Sequence, residues 1–349
     1  MFGIAKKQTG VATRWTSEIA DNVIALAWSP DSAFVAAAAV SGPITLFDAA
    51  SGAVRHELAG HGFGTTAIAW HPSEPLLASA GQDGKIRIWG VESGLERAQM
   101  VGGAAWVEQI AWSPDGAYLA SAAGKKLRFW DRTGVLLQEC VDHASTIADL
   151  AWKPTPLRGK NQPALATASY GGIRLWRPTQ AEPTREFVWK GSSLVLQWSP
   201  TAAYIATGDQ DSTVHFWITT SGKDLQMYGY PGKVKELAWD QAGRFLATGG
   251  SPTVVIWDCS GKGPENTKPL MLEGHTDSLT ALQYQPRGAL LASGGADGLV
   301  MLWQPTASKR PLATMEHADS VASLVWSPDN TLLAIGGAAG AVRLLEVGM

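Results

Sequence analysis

Short apolar runs and turn residues alternate along this chain in a cycle that restarts about every forty residues. One full cycle begins at residue 66. Thr66–Trp70 carries small apolar residues and stops at His71-Pro72, a break that a central strand does not tolerate. Leu76–Ala80 is a second apolar run, and Gly81-Gln82-Asp83-Gly84 supplies a hairpin turn whose Asp-Gly step provides the positive φ. Ile86–Trp89 reads as a third strand, β-branched and aromatic. Glu92-Ser93-Gly94 then turns the chain into a weaker fourth strand, Leu95–Met100. The runs are apolar on both faces, which fits sheets packed against a neighbour on each side and not a half-solvated sheet. No ten-residue stretch of helical periodicity interrupts them, which excludes a helical solenoid.

The cycle recurs eight times. Its first aromatic falls at Trp28, Trp70, Trp112, Trp152, Trp198, Trp239, Tyr284 and Trp326, at intervals of 42, 42, 40, 46, 41, 45 and 42 residues. Its second falls at Phe47, Trp89, Trp130, Trp176, Trp217, Trp257 and Trp303, with Leu345 in the eighth copy. Thirteen of the 16 tryptophans occupy this framework, and Trp15, Trp106 and Trp189 stand outside it. Four short strands per forty residues predict an all-β propeller.

The eighth copy has three strands, Ala322–Trp326, Leu332–Ile335 and Val342–Leu345, and no fourth. The strand-like segment Val11–Thr16 precedes the first copy and has no repeat of its own. It is expected to pair as the outer strand of the last blade, which removes the bare edges of an open stack. The count predicts eight blades of four antiparallel strands in one closed domain over 1–349. Residues 1–20 supply the outer strand of the last blade, and the repeats centre on 21–60, 61–102, 103–142, 143–188, 189–230, 231–274, 275–316 and 317–349. Seven blades is the alternative, should the first or eighth copy, with their eroded second aromatics, fail to form one.

Composition narrows the function. With 45% hydrophobic and 17% charged residues the chain can bury a large core, and a formal charge of −3 gives no basic footprint for nucleic acid. No run of 18 apolar residues marks a membrane span, and Met1–Lys7 has no apolar stretch after its basic pair, so a secretory leader is not expected. Cys140 and Cys259 lie 119 residues apart without metal-ligand spacing, and read as free thiols in a reducing cytoplasm. The seven histidines (His56, His61, His71, His143, His215, His275, His317) include no local ligand pair, so neither a metal nor a cofactor is expected.

These residues resemble the WD-repeat family. Gly60-His61, Ser79, Asp83 and Trp89 match its pattern in the second copy, and Gly274-His275, Ser293, Asp297 and Trp303 in the seventh, each histidine nine residues before the first aromatic. The resemblance covers essentially the whole chain. It implies that His61, Ser79, Asp83 and Trp89, and likewise His275, Ser293, Asp297 and Trp303, form hydrogen-bonded chains inside their blades. The other copies depart from it. The fourth keeps His143 and Trp176 without the aspartate, the fifth keeps Asp211 and Trp217 with Trp189 in the histidine's place, and the sixth has Tyr230 there. The eighth keeps His317 beside Ile335 and Ala339.

A Ser-His-Asp set that occurs twice, each time where the family uses it structurally, argues against a hydrolytic triad, since a catalytic set is assembled once. A quinoprotein-type propeller enzyme is the main enzymatic alternative. Asp48-Ala49-Ala50-Ser51-Gly52 loosely matches its Asp-x-x-x-Gly turn, but that family puts its tryptophan after the glycine, whereas Trp130-Asp131 puts it before. A structural subunit of a larger complex is another alternative. The expectation is a non-catalytic scaffold, monomeric by itself, that binds a protein or peptide. The resemblance directs partners to the face bearing the loops before the first strand and between the second and third. On that face the candidate contacts are Trp106, Glu108, Gln109, Asp149, Tyr170, Trp189, Tyr230, Lys235 and Glu236, because aromatics flanked by charge suit an interface hot spot. On the opposite face, the insertion Pro154–Pro163 and the loop Cys259–Pro269 read as tolerated surface loops or a second contact site.

Overall fold

A computed structural model describes residues 10–154, 163–261, 263–265 and 267–348. Residues 1–7 and most of the 154–163 insertion, both interpreted above, lie outside the described residues. Among the described residues there are thirty strands and no helix.

The second copy shows the common unit. Thr65–Trp70, Leu76–Gly81, Lys85–Gly90 and Leu95–Val101 pair in that order as an antiparallel meander, with Leu77 opposite Trp70 on one side and Trp89 on the other. His71-Pro72 and Gln82-Asp83-Gly84 end the strands because a proline cannot donate to the ladder and Gly84 sits at φ 71°. The entry loop depends on Gly60, at φ 63°, where an added Cβ would lie 1.7 Å from the Gly42 carbonyl oxygen.

The ring closes through the N-terminal strand. Val11–Glu18 pairs antiparallel with Ala341–Val347, from Val11 opposite Val347 to Glu18 opposite Ala341, and becomes the outer strand of the sheet built from Val321–Trp326, Leu332–Gly337 and Ala341–Val347. The first and eighth copies both form sheets in spite of Phe47 and Leu345, whose side chains are fully buried substitutes for the tryptophan.

The expectation of eight separate four-stranded blades is corrected. Counted as continuous hydrogen-bonded sheets, the propeller has seven blades, six of four strands and one of six. The fourth and fifth copies share the six-stranded sheet. Leu165–Trp176 runs unbroken through Tyr170-Gly171-Gly172, both glycines at positive φ, and Arg185–Trp198 runs unbroken through Trp189-Lys190-Gly191, where other copies interrupt the strand with a loop. Tyr170 opposite Ser192 and Ser193 opposite Asp209 carry the ladder from one copy into the next. At Gly172 a Cβ would stand 2.0 Å from the Phe187 carbonyl oxygen, so the tight return requires glycine. The two halves still pack face to face, with Ala166, Ile173 and Phe187 against Leu196, Trp198 and Trp217.

The core lies between neighbouring sheets. The first strands adjoin one another around the axis, Val23–Trp28 touching both Val321–Trp326 and Thr65–Trp70. Phe47 and Leu46 are wholly buried, on opposite sides of one strand, and burial of each contributes about 2 kcal/mol. The first-position indoles stitch copies together. Trp28 Nε1 donates to the Val325 carbonyl at 3.0 Å, Trp70 to Ala27 at 3.1 Å, Trp152 to Ala111 at 2.9 Å, Trp198 to Ala151 at 3.1 Å and Trp326 to Gln283 at 3.1 Å. Each bond spans two copies and contributes about 1 kcal/mol net.

Candidate partner-binding face

In an antiparallel meander, loops before the first strand and loops between the second and third emerge at the same end. The buried polar residues at that end decide which side chains are held and which are free. In the second copy, His61 Nδ1 lies 2.9 Å from Asp83 Oδ1 and His61 Nε2 lies 2.8 Å from Ser79 Oγ, which also accepts from Trp89 Nε1 at 2.8 Å. With the imidazole proton on Nδ1, the chain runs without a gap, indole to hydroxyl to imidazole to carboxylate. The seventh copy repeats it, with His275 3.1 Å from Asp297 and 2.8 Å from Ser293, and Trp303 2.8 Å from Ser293. Burial holds the His61 imidazolium pKa below its ordinary value against the opposing pull of Asp83. Ser79 and Ser293 are wholly buried and each already accepts from a tryptophan, so no substrate carbonyl can reach either hydroxyl.

The other copies fill the same position differently. In the third, Trp130 donates to Ser121 at 2.8 Å. In the fourth, His143 Nε2 and Trp176 Nε1 both meet Thr167 Oγ1 at 2.8 Å, and burial lowers the His143 pKa to about 4. In the sixth, the Tyr230 hydroxyl lies 2.8 Å from Thr248 Oγ1 and accepts from Trp257 at 2.8 Å, and burial pushes its pKa up to about 12. In the fifth, Trp189 packs on His215 with ring centroids 4.2 Å apart. In the eighth, both His317 ring nitrogens are buried without a partner among the described residues, because Ile335 and Leu345 replace the serine and the tryptophan.

This sorts the nine candidate contacts. Trp106 is 53% exposed, Tyr170 is 57% exposed, and Lys235 is exposed. Trp189 and Tyr230 are engaged in packing. The polar candidates on or beside the first strands are tied to backbone. Glu108 Oε2 accepts from Gly124 N at 2.9 Å, Glu236 Oε2 from Gly250 N at 3.1 Å, and Gln109 Nε2 donates to Ala148 O at 3.5 Å. Asp149 accepts from Leu150 N and, across the copy boundary, from Leu196 N, both at 2.8 Å. Burial raises the Asp149 pKa to about 6 and raises that of Glu236.

Two residues that the sequence reading passed over belong to the same face. Phe63 is 88% exposed at φ 67° in the loop before the second copy's first strand, and Tyr228 is exposed just before that of the sixth. The signal for Phe63 was its setting, Gly62-Phe63-Gly64, a large aromatic in a loop with no apolar periodicity to satisfy. Phe63 and Trp106 thus stand on loops of the second and third copies, and Tyr170 stands in the continuous strand of the fourth at the place where other copies have a loop. Asp48 of the alternative enzymatic reading caps its own turn, accepting from Ser51 N at 2.8 Å and Ser51 Oγ at 2.7 Å. Among the described residues no three His, Cys, Asp or Glu side chains converge as metal ligands.

Comparison with known proteins agrees with this architecture. The family model for the WD domain, G-beta repeat, matches residues 52–90, 97–131, 186–217, 222–258, 266–304 and 309–345, together more than half of the chain. Among curated relatives, THO complex subunit 3 of Arabidopsis thaliana is 28% identical over 167 residues, covering 47% of this chain and 50% of that protein. The anaphase-promoting complex subunit cdc20 of Dictyostelium discoideum is 30% identical over 135 residues, covering 38% of this chain and 26% of that protein. The chain thus spans half or less of the length of these relatives. The crystal structure of the computationally designed Ika8 protein superposes with a TM-score of 0.79 at 21% identity, covering 95% of this chain and 98% of that one, a likeness of fold alone.

Proposed function

Because the chain belongs to the WD40 repeat family of β-propellers, we propose that it is a non-catalytic scaffold that binds a protein or peptide on the face bearing Phe63, Trp106, Tyr170 and Lys235. The observation that carries this reading is the run of exposed aromatics at the same end of three adjacent copies. A surface residue gains nothing from an aromatic ring left in water, whereas a ring desolvated by a partner suits a hot spot. The relatives named as subunits of the THO and anaphase-promoting complexes support a role in assemblies. The buried Ser-His-Asp sets argue against hydrolysis. Cys140 and Cys259 are buried free thiols whose pKa values burial pushes up to about 12, which suits a reducing cytoplasm.

The test is quantitative co-purification from the native host with three forms of the protein. These are wild type, a Phe63→Ala/Trp106→Ala/Lys235→Glu variant, and an opposite-face control, Arg287→Glu. Partners recovered with wild type and the control but lost with the triple variant are expected. Equal recovery with all three forms would refute the assignment of this face.

A further inference from the structure

The face assigned to the partner is not uniform around the ring. Its large exposed hydrophobics, Phe63, Trp106, Val141, Tyr170, Val188 and Tyr228, lie within the arc from the second to the sixth copy, and the seventh and eighth expose none at that end among the described residues. Charge divides the same way. The loops at that end of the seventh, eighth and first copies carry Asp21, Glu273, Asp277, Asp297 and Asp319 and no lysine or arginine. Lys125, Lys190, Lys233 and Lys235 are exposed on the third, fifth and sixth copies, and none has an ion-pair partner among the described residues. The acids beside them are engaged. Asp142 pairs with Lys126 at 3.5 Å, Asp211 accepts from the Thr213 hydroxyl at 2.7 Å, and Glu108 and Glu236 are tied to backbone amides.

Phe63 marks one end of this arc. Five non-glycine residues among the described residues have positive φ. Ser32, Ala202 and Asn330 occupy the turn after the first strand, where Gly116 and Gly243 stand in the third and sixth copies. Ser212 occupies the turn between the second and third strands, where Gly84 and Gly298 stand. Only Phe63 lies outside these repeated turns, and a bulky side chain at φ 67° is a strained arrangement that the repeat does not require. The strain holds a ring that is 88% exposed out from its loop.

We propose that the partner is an extended acidic peptide, with aromatic or large aliphatic side chains between its carboxylates, that lies along the arc from Phe63 to Tyr228 and is kept off the seventh, eighth and first copies by their own acids. This rests on the scaffold reading above and adds to it the chemistry of the partner. Apolar side chains of the peptide cover the exposed rings, and its carboxylates meet lysines that no acid of the ring pairs. Rings interleaved with lysines also suit a single-stranded nucleic acid. A formal charge of −3 and the acidic arc on the same face disfavour that ligand, which is the competing outcome.

Fluorescence anisotropy of labelled peptides titrated with the full chain tests this. The peptides are of equal length and carry leucine and phenylalanine at the same positions, with glutamate, serine or lysine at the others. The glutamate peptide is expected to saturate with a dissociation constant on the order of 0.1 mM, at least about ten-fold tighter than the lysine peptide, and to weaken as salt rises from about 0.05 to 0.5 M. The serine peptide should fall between them. Lys125→Glu/Lys190→Glu/Lys233→Glu should weaken the glutamate peptide by about ten-fold, whereas Asp21→Asn/Asp277→Asn on the acidic arc should leave it as tight or tighter. Phe63→Gly should weaken it several-fold with the thermal midpoint held or raised, since glycine adopts the same φ without strain. Absence of saturation, no preference for glutamate over lysine, an undiminished triple lysine variant, or displacement by an equal concentration of oligodeoxythymidylate would overturn the proposal. If co-purification still depends on Phe63, Trp106 and Lys235 in that case, the partner face stands and only the acidic class falls.

Discussion

The Trp15 indole nitrogen donates a 3.0 Å hydrogen bond to the Ala49 carbonyl, and its ring lies 5.5 Å from that of Phe47. Trp15 belongs to the outer strand of the last sheet, and Ala49 follows the third strand of the first copy, so this one side chain locks the closing seam. Trp15→Ala should lower unfolding stability by about 3 kcal/mol through lost packing and an unpaired carbonyl. Deleting residues 1–18 should cost more, since it also bares the Ala341–Val347 edge. Urea unfolding of the three proteins checks the order. Equal midpoints would mean that the seam contributes nothing.

Ser79→Ala in the second copy strands both His61 Nε2 and the Trp89 indole, each buried. The expected cost is about 2–6 kcal/mol, from roughly 1–3 kcal/mol for each of the two orphaned groups. The matching change at Ser293 in the seventh copy should cost about as much. A double variant whose loss equals the sum of the singles would show that the two hydrogen-bonded chains act independently.

Two buried groups pull the pH dependence in opposite directions. Asp209 is wholly buried, with one oxygen unpartnered among the described residues, and burial raises its pKa to about 7. The folded state therefore holds the proton more tightly than the unfolded chain, and this contribution to stability is lost as pH rises from about 4 through 7. Asp209→Asn should stabilise the protein at pH 8 by on the order of 2–4 kcal/mol and change little at pH 4. His143 runs the other way. Its folded pKa near 4 lies below the unfolded value, so its contribution is complete above about pH 6.5 and falls away towards pH 4. His143→Gln should flatten the acid limb. Thermal midpoints from pH 4 to 8 for wild type and both variants separate the two effects.

Phe63→Ala and Trp106→Ala remove exposed rings, so each should leave stability within about 0.5 kcal/mol of wild type. Partner affinity should fall by at least ten-fold for the ring that anchors the partner. Circular dichroism melts paired with a binding isotherm for any partner recovered would distinguish a surface effect from an unfolded variant.

The periodic tryptophans made the architecture legible, because a side chain that must fill the same inter-sheet space in every copy recurs at a fixed interval. The closing strand was legible too, since Val11–Thr16 was strand-like and lacked a repeat while the last copy lacked a strand. The shared sheet of the fourth and fifth copies was not. Glycines such as Gly171, Gly172 and Gly191 ordinarily mark turns, and only the pairing of Tyr170 with Ser192 reveals that the ladder passes through this region. Glu108, Asp149 and Glu236 were expected as partner contacts because an acid beside an apolar strand position reads as facing water. Gly124 and Gly250 reach Glu108 and Glu236 from across the same copy, and Leu196 reaches Asp149 from the next one, so these pairings leave no trace in the residues flanking the acid. Phe63 was missed for the converse reason, since an exposed aromatic in a glycine loop breaks no pattern.

The unbroken backbone from Arg185 to Trp198 also bears on how the molecule opens. Elsewhere a loop separates the outer strand of one copy from the inner strand of the next, so one unit can loosen while its neighbour stays ordered. Between the fourth and fifth copies no such joint exists, and amides on both sides of Gly191 should exchange with solvent at one common rate. Those two copies would then melt as a single cooperative unit, larger than any other stretch of the ring.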